Sequence, residues 1–173
     1  LRCRNIVRNL LDFARQDAPR LEEIQSVEVV DQALMLVKKL PEFRNINIIW
    51  EPPDGIPPIL GDVRQLQQVI LNLMLNAADA MPGGGELRIS THYDETCEEV
   101  VITFADTGVG MSPDILDRLF EPFFSTKSEG IGLGLFVSQN IIQEHGGRIE
   151  VESEVGSGST FVIRLPVQER DTS

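Results

Sequence analysis

The sequence predicts an α+β fold, in which helices cover one face of a sheet in a two-layer sandwich. Apolar residues recur at helical spacing in the first half of the chain, and β-rich segments separated by turns dominate the second half. Helices come first and a sheet interleaved with helices follows, which is the order that favours this architecture. The predicted helices are 1–15, 26–40, 62–81, 113–119 and 132–145, and the predicted strands are 45–50, 86–93, 99–106, 148–153 and 159–165.

The first two helices are predicted from their apolar stripes. In residues 1–15 the stripe is Ile6, Val7, Leu10, Leu11 and Ala14, so this helix needs a partner. In residues 26–40 the predicted apolar face is Val29, Val30, Ala33, Leu36, Val37 and Leu40. Ser26 is the expected N-cap of the second helix. Prolines and a glycine between residues 52 and 58 predict a stiff loop before the clearest helix, 62–81.

Bulk composition excludes several classes of function. The 173 residues carry a net charge of −12, which argues against a nucleic-acid surface and against docking on anionic lipid. No run of about eighteen apolar residues suggests a membrane span. Cys3 and Cys97 lie far apart and fit neither a disulfide framework nor a zinc pattern, so we expect free thiols.

Two glycine clusters organise the second half of the chain. The first is Asp-Thr-Gly-Val-Gly at 106–110, and the second is Gly-Ile-Gly-Leu-Gly-Leu at 130–135. Glycine permits close approach of the backbone to a ligand, so the clusters are predicted to be two walls of a nucleotide pocket. The second cluster opens a helix, whose free N–H groups are suited to phosphate. Glycine-rich turns are common, however, and the cluster is neither a dinucleotide fingerprint nor a P-loop.

A polar line on the helix at 62–81 predicts a metal site. Asn72, Asn76 and Asp79 lie at positions i, i+4 and i+7, beside the apolar stripe. Mg²⁺ takes oxygen ligands, keeps several waters and is usually held by few protein groups together with substrate phosphates. The same amides are also consistent with a solvated helix surface or with capping of a neighbouring loop.

Charged and aromatic side chains near the glycine clusters complete the predicted site. Asp106 ends a β-rich run and can accept from the amine of adenine, although an ordinary Asx turn is the alternative. Lys127 can pair with a terminal phosphate or remain a solvated lysine. Between the clusters, Phe120, Phe123 and Phe124 are expected to anchor a lid on the core. We interpret His92 and His145 as structural.

Together, in this order, the segments resemble the conserved boxes of sensor histidine kinases. Asn72-Leu-Met-Leu-Asn76 resembles their N box, 106–110 the G1 box, 120–124 the F box, 130–135 the G2 box, and 156–161 the last conserved turn. The segment Pro-Phe-Phe-Ser-Thr-Lys is closest to the nitrogen-regulation type. The resemblance implies a Bergerat fold, with a mixed sheet of about five strands under three helices. Residues 1–18 would be the end of a dimerisation helix and 19–173 the catalytic ATP-binding domain.

The resemblance also implies ligands and roles. ATP and Mg²⁺ are the expected cofactors, with Asn76 as metal ligand, and with Asn72 and Lys127 as catalytic residues at the phosphates. The remaining nucleotide contacts would be Asp79, Asp106, Gly108, Gly110, Gly130, Ile131, Gly132, Leu133, Gly134, Leu135 and Thr160. Ile131 stands where the family commonly has threonine, so we expect altered lid closure.

The partners follow from the same resemblance. The phosphoacceptor histidine would lie on an upstream helix of the same or a sister subunit, because the surroundings of His92 and His145 do not match the family's acceptor. The full-length kinase would be a cytoplasmic or membrane-anchored homodimer that passes the phosphoryl group to a response-regulator receiver domain. Three alternatives remain: a same-fold ATPase, which would carry glutamate at position 72; an anti-sigma type protein-serine kinase; and a nucleotide-binding regulatory module without kinase activity.

Overall fold

A computed structural model describes residues 18–125 and 133–167 of the chain. Its main sheet has five strands in the order β2-β4-β5-β7-β6. The strands of this sheet are β2 (Ile46–Trp50), β4 (Gly85–Asp94), β5 (Glu99–Asp106), β6 (Arg148–Glu154) and β7 (Gly158–Pro166). Only the β2–β4 pair is parallel, so the sheet is mixed, as the resemblance implies. The predicted helix 1–15 lies outside the described residues, and the domain boundary near residue 18 stays a prediction.

Helices cover one face of this sheet. They are α1 (Ser26–Val37), α2 (Val63–Asp79) and α4 (Gly134–Glu144), and the short α3 (Pro113–Arg118) lies in the segment between β5 and α4. Helix α2 is central, since it contacts both α1 and α4. The predicted α+β sandwich is therefore confirmed, and within the described residues no helix is long and apolar enough to cross a bilayer.

Strand alternation builds the interface between the sheet and the helices. Successive side chains of a strand point to opposite faces, and residues paired across strands share a face. One row across the sheet is Ile89, Phe104, Phe161 and Val151, and the next is Thr91, Ile102, Ile163 and Ile149. Most of these side chains are buried. Because side chains alternate along each strand, the residues at the strand ends that continue this apolar face also point towards the helix layer.

The structure corrects the prediction for the helix at residues 26–40. Helix α1 ends at Val37, and Leu36 and Leu40 are 50% and 37% exposed, so their assignment to the apolar face was wrong. Leu34 is buried in their place. Ser26 is not the N-cap either, because the cap position is Gln25 and the buried Ser26 Oγ has no hydrogen-bond partner.

A second, two-stranded sheet was missed. Strands β1 (Glu22–Ile24) and β3 (Ile59–Gly61) pair antiparallel, in two segments for which the sequence predicted neither a helix nor a strand. Ile24 and Ile59 are buried in the core. This small sheet fixes the residue before α2, because Gly61 is followed directly by Asp62, the N-cap of that helix.

Candidate functional site

Asp106 places a carboxylate on the apolar face of the sheet. It follows Val100, Ile102 and Phe104 on the same side of β5, at the last position of the strand. Its side chain is 7% exposed, and its Oδ1 accepts hydrogen bonds from the N–H groups of Gly108 (2.9 Å) and Ser159 (3.2 Å). Both hydrogen bonds end on Oδ1, so Oδ2 is left without one from the described residues. Burial raises the pKa of the Asp106 carboxyl, although these two N–H groups act in the opposite direction.

The loop after Asp106 is packed so tightly that it requires glycine. A Cβ added to Gly108 would lie 2.5 Å from the carbonyl oxygen of Ala80, at the end of α2. Gly110 has φ +70° and leaves no room for a Cβ against the carbonyl oxygen of Glu154. Both obstacles are backbone atoms, which cannot rotate away. The loop 107–111 is therefore held between α2 and the β6–β7 turn, and we define it as the base loop.

Ser159, and not Thr160, lies beside Asp106. Thr160 pairs with Ala105, whereas Ser159 pairs with Asp106 and is 6% exposed on the helix-facing side. Alternation turns the side chain of Thr160 to the opposite face of the sheet. The signal was present in the sequence, because the apolar Phe161 faces the core and residue 159 must share its face. Sequence reasoning nevertheless missed Ser159, because the family resemblance assigned the contact to Thr160.

The predicted amide line lies on α2, and Asn72 contacts the start of α4. The Nδ2 of Asn72 donates to the Oγ of Ser138 at 3.1 Å, and the buried Ser138 belongs to α4. A Cβ added to Gly134 would lie 2.5 Å from Asn72 Oδ1, so glycine makes room for this side chain. Asn76 is half-buried one turn further along α2, and Asp79 is exposed. The structure thus brings Asn72 and Gly134 together.

The second glycine cluster is only partly described. Lys127, Gly130, Ile131 and Gly132 lie outside the described residues, so their predicted roles stay predictions. Leu133 is buried at the N-cap position of α4, and no side chain caps this helix there. The backbone N–H groups of Gly134 and Leu135, in the first turn of α4, lack i−4 partners within the helix and are suited to an anion.

The predicted lid anchors behave differently from one another. Phe120 packs against the core, as expected. Phe123 is 69% exposed with φ +66°, so its assignment as an anchor was wrong. Phe124 is half-buried, and the Arg118 guanidinium lies 4.5 Å from the centre of its ring. The lid therefore has one core anchor and one cation–π contact within its described part.

His145 has a structural role, as predicted. Its Nε2 accepts from the N–H of Asp62 at 3.0 Å, and its Nδ1 lies 2.7 Å from the carbonyl oxygen of Ile141. Since Nε2 accepts, Nδ1 must carry the proton and donate to Ile141. The ring thereby ties the C-terminus of α4 to the N-cap of α2.

Comparison with known proteins identifies the family. A family described as "Histidine kinase-, DNA gyrase B-, and HSP90-like ATPase" matches residues 61–169. This chain belongs to that ATPase family. The match contains α2, the base loop, α4 and the strands β4 to β7, and these include the elements that form the site.

Relatives of this ATPase domain include sensor histidine kinases. Sporulation kinase E of Bacillus subtilis is 38% identical over 168 residues, covering 97% of this chain and 23% of that protein. The catalytic domain of histidine kinase ThkA superposes with a TM-score of 0.74 and 28% identity, covering 85% of this chain and 95% of that one. Full-length ShkA in complex with AMPPNP gives a TM-score of 0.78 and 30% identity, covering 94% of this chain and 35% of that one.

These comparisons confirm the resemblance to sensor histidine kinases. The chain spans about a quarter of the length of Sporulation kinase E, so it corresponds to one part of a larger relative. The nitrogen-regulation subtype stays a prediction.

Proposed function

We propose that this ATPase domain is the catalytic module of a sensor histidine kinase, which transfers the γ-phosphoryl group of Mg-ATP to a histidine on another segment. The observation that carries the proposal is Asp106, a buried carboxylate whose two hydrogen bonds share one oxygen. Its second oxygen is available to accept from the exocyclic amine of adenine. The related ShkA, which binds the ATP analogue AMPPNP, supports the same ligand.

The phosphate end of the site would be formed by α2 and α4. The N–H groups at the start of α4 would bind phosphate oxygens, with Lys127 at the terminal phosphate. Asn72 Oδ1 accepts no hydrogen bond from the described residues, and Asn76 lies one turn away. Amide oxygens of this kind fit Mg²⁺, which needs few protein ligands when phosphates supply the others. Bound Mg²⁺ would neutralise developing charge on the phosphates, and the protein would contribute mainly positioning.

The acceptor histidine is proposed to lie outside these 173 residues. The sequence contains two histidines. His145 is 8% exposed and uses both ring nitrogens in hydrogen bonds. His92 is exposed and pairs with Val101, which puts it on the sheet face opposite Asp106. A helix of the same or a sister subunit would then present the acceptor, and a response-regulator receiver domain would take the phosphoryl group from it. We place this reaction in the cytoplasm.

Nucleotide titrations test the site. Asp106→Asn should weaken ATP binding with or without Mg²⁺, because the acceptor facing the base becomes a donor. Asn76→Ala should weaken only the part of the affinity that depends on Mg²⁺. Asp54→Asn and Asn47→Ala, both at exposed positions, are the matched controls. Unchanged affinity in both site variants would refute the assignment.

Phosphoryl transfer is tested separately. The chain is incubated with γ-labelled ATP, alone and with a separate dimerisation segment of a related kinase. We expect acid-labile label on that segment and none on the chain itself. Label on His92 or His145 would contradict the proposal, label on a serine would favour a protein-serine kinase, and binding without any transfer would favour a regulatory module.

A further inference from the structure

A polar row ends the apolar face of the sheet. Across the four strands β4, β5, β7 and β6, the paired residues are Leu87, Asp106, Ser159 and Ser153. The two rows before it consist almost entirely of apolar side chains. The three polar members therefore face the helix layer at one edge of the core, and Asp106 is the one assigned to the base. Ser153 is the farthest from it in the row.

Ser153 connects three parts of the site. Its Oγ accepts from the N–H of Met111 at 2.8 Å, lies 2.7 Å from the Oγ of Ser159 and lies 3.0 Å from the carbonyl oxygen of Gly158. A serine hydroxyl has one proton and two lone pairs. All three contacts are satisfied when Ser153 donates to Gly158 and accepts from both Met111 and Ser159. The hydroxyl is then fully used.

These bonds close a ring around the base loop. Asp106 Oδ1 accepts from Gly108 near the start of the loop and from Ser159 on the neighbouring strand. Ser159 contacts Ser153, and Ser153 holds Met111 at the end of the loop. Hydrogen bonds thereby connect both ends of the loop to the same carboxylate. Among the described contacts, Ser153 makes the link between Met111 and this carboxylate.

We propose that Ser153 is a positioning residue for the nucleotide base, which acts through Ser159 and Met111 to fix Asp106 and the base loop. This inference rests on the proposed function, since it assumes that the base binds at Asp106. Ser153 itself need not touch the nucleotide. Without its hydroxyl, Met111 N–H loses its partner and the loop can leave the conformation that receives adenine.

The test compares Ser153→Ala with two variants. Ser153→Thr keeps the hydroxyl and should restore binding. As a control, Ser157→Ala removes an exposed hydroxyl from the adjoining β6–β7 turn. Affinity for ATP without Mg²⁺ should fall about three- to tenfold in Ser153→Ala, the range expected for one neutral hydrogen bond. The preference for ATP over GTP should fall with it, while the factor by which Mg²⁺ strengthens binding stays unchanged. A purely structural role would weaken both nucleotides equally.

Two further measurements keep the inference separate from the proposed function. In an Asp106→Asn background, Ser153→Ala should cost less than in the wild type, because both changes affect one ring; fully additive losses would overturn the proposal. Hydrogen exchange of the Met111 amide, measured without nucleotide, should accelerate in Ser153→Ala and not in Ser157→Ala. A wild-type chain that binds no ATP would refute the proposed function and the base role, and unchanged Met111 exchange would refute the positioning role alone.

Discussion

Replacing Gly134 by alanine is expected to leave the domain folded and to impair its nucleotide site. A Cβ at this position would lie 2.5 Å from Oδ1, 3.1 Å from Cγ and 3.2 Å from Nδ2 of Asn72. These atoms form the end of a flexible side chain, so Asn72 can rotate away while the backbone stays in place. The rotation would break its hydrogen bond to Ser138.

Gly134→Ala has two effects on the free energy of unfolding, which largely cancel, whereas nothing offsets its expected effect on nucleotide affinity. Alanine in place of glycine favours a helix by up to about 1 kcal/mol, and the lost Asn72–Ser138 bond costs about 0.5–1.5 kcal/mol. The free energy of unfolding should therefore stay within about 1 kcal/mol of the wild type. A displaced Asn72 would lose its proposed interaction with the charged metal–phosphate group, and such an interaction is worth about 1.5–3 kcal/mol, or roughly 10- to 150-fold in Mg²⁺-dependent affinity.

The assay combines urea unfolding with ATP titrations in the presence and absence of Mg²⁺. Gly83→Ala is the matched control, because a Cβ there meets nothing within 4 Å. In an Asn72→Ala background the alanine at position 134 should cause no further loss of affinity, since the space is already vacated. A loss of several kcal/mol of stability, or unchanged Mg²⁺-dependent binding, would show that the Asn72–Gly134 contact does not work as described.

Three further variants test the buried polar groups. His145→Ala should lower the free energy of unfolding by about 2 kcal/mol or more, since it leaves the N–H of Asp62 unpaired, whereas the exposed His92→Ala should change it by less than about 0.5 kcal/mol in the same urea titration. Burial acts to raise the pKa of Asp62, but hydrogen bonds from the N–H groups of Arg20, Gln65 and Arg64 outweigh it and lower the pKa. Asp62→Ala should therefore cost about 0.5–2 kcal/mol at neutral pH, as expected for a lost N-cap. That cost should shrink as the pH falls below about 4, the ordinary pKa of an aspartate, and through the lowered folded-state pKa of Asp62. The contribution of Asp106 to stability depends on pH in the opposite direction, because its pKa is raised in the folded state. This contribution is complete below about pH 4 and is lost as the pH rises through the folded-state pKa. Without nucleotide, Asp106→Asn should thus be at least as stable as the wild type at pH 7 in urea titrations, and a marked loss there would contradict the assigned cause.

Sequence patterns predicted the main sheet well because its apolar face is nearly continuous. Strands β4, β5 and β7 are eight or more residues long, and buried residues alternate with less buried ones over most of each strand, so the period of two can be recognised in the sequence. Strands β1 and β3 have three residues each, which is too short to show a period, and they pair across 35 or more positions of sequence. The error at Leu40 has another cause, since the apolar pattern continues past Val37, where the helix ends. Leu36 lies inside the helix, in the wholly apolar run 34–37, where spacing alone does not separate buried from exposed positions.

At the site, side chains that follow from a local pattern were predictable and those that depend on a distant turn were not. Asp106 and the glycines of the base loop could be singled out because the end of the strand and the turn that follows it are adjacent in the sequence. Ser159 could have been predicted, because residues two positions apart on a strand share a face and the apolar Phe161 faces the core. Ser153 was not, because its bond to Met111 joins residues 42 positions apart and depends on how the β6–β7 turn packs on the base loop.

The asymmetric bonding of Asp106 explains why a carboxylate, which is costly to bury, occupies this position. Two backbone N–H groups share Oδ1, and Oδ2 is left as an acceptor. An asparagine could keep the same two bonds at its single oxygen, but its NH₂ group would then face the ligand as a donor. Such a donor suits a carbonyl, as in guanine, and opposes the amine of adenine. In the proposed function, the burial that raises the pKa of this carboxyl therefore accompanies an arrangement in which Oδ1 holds the base loop and Oδ2 offers an acceptor to the base.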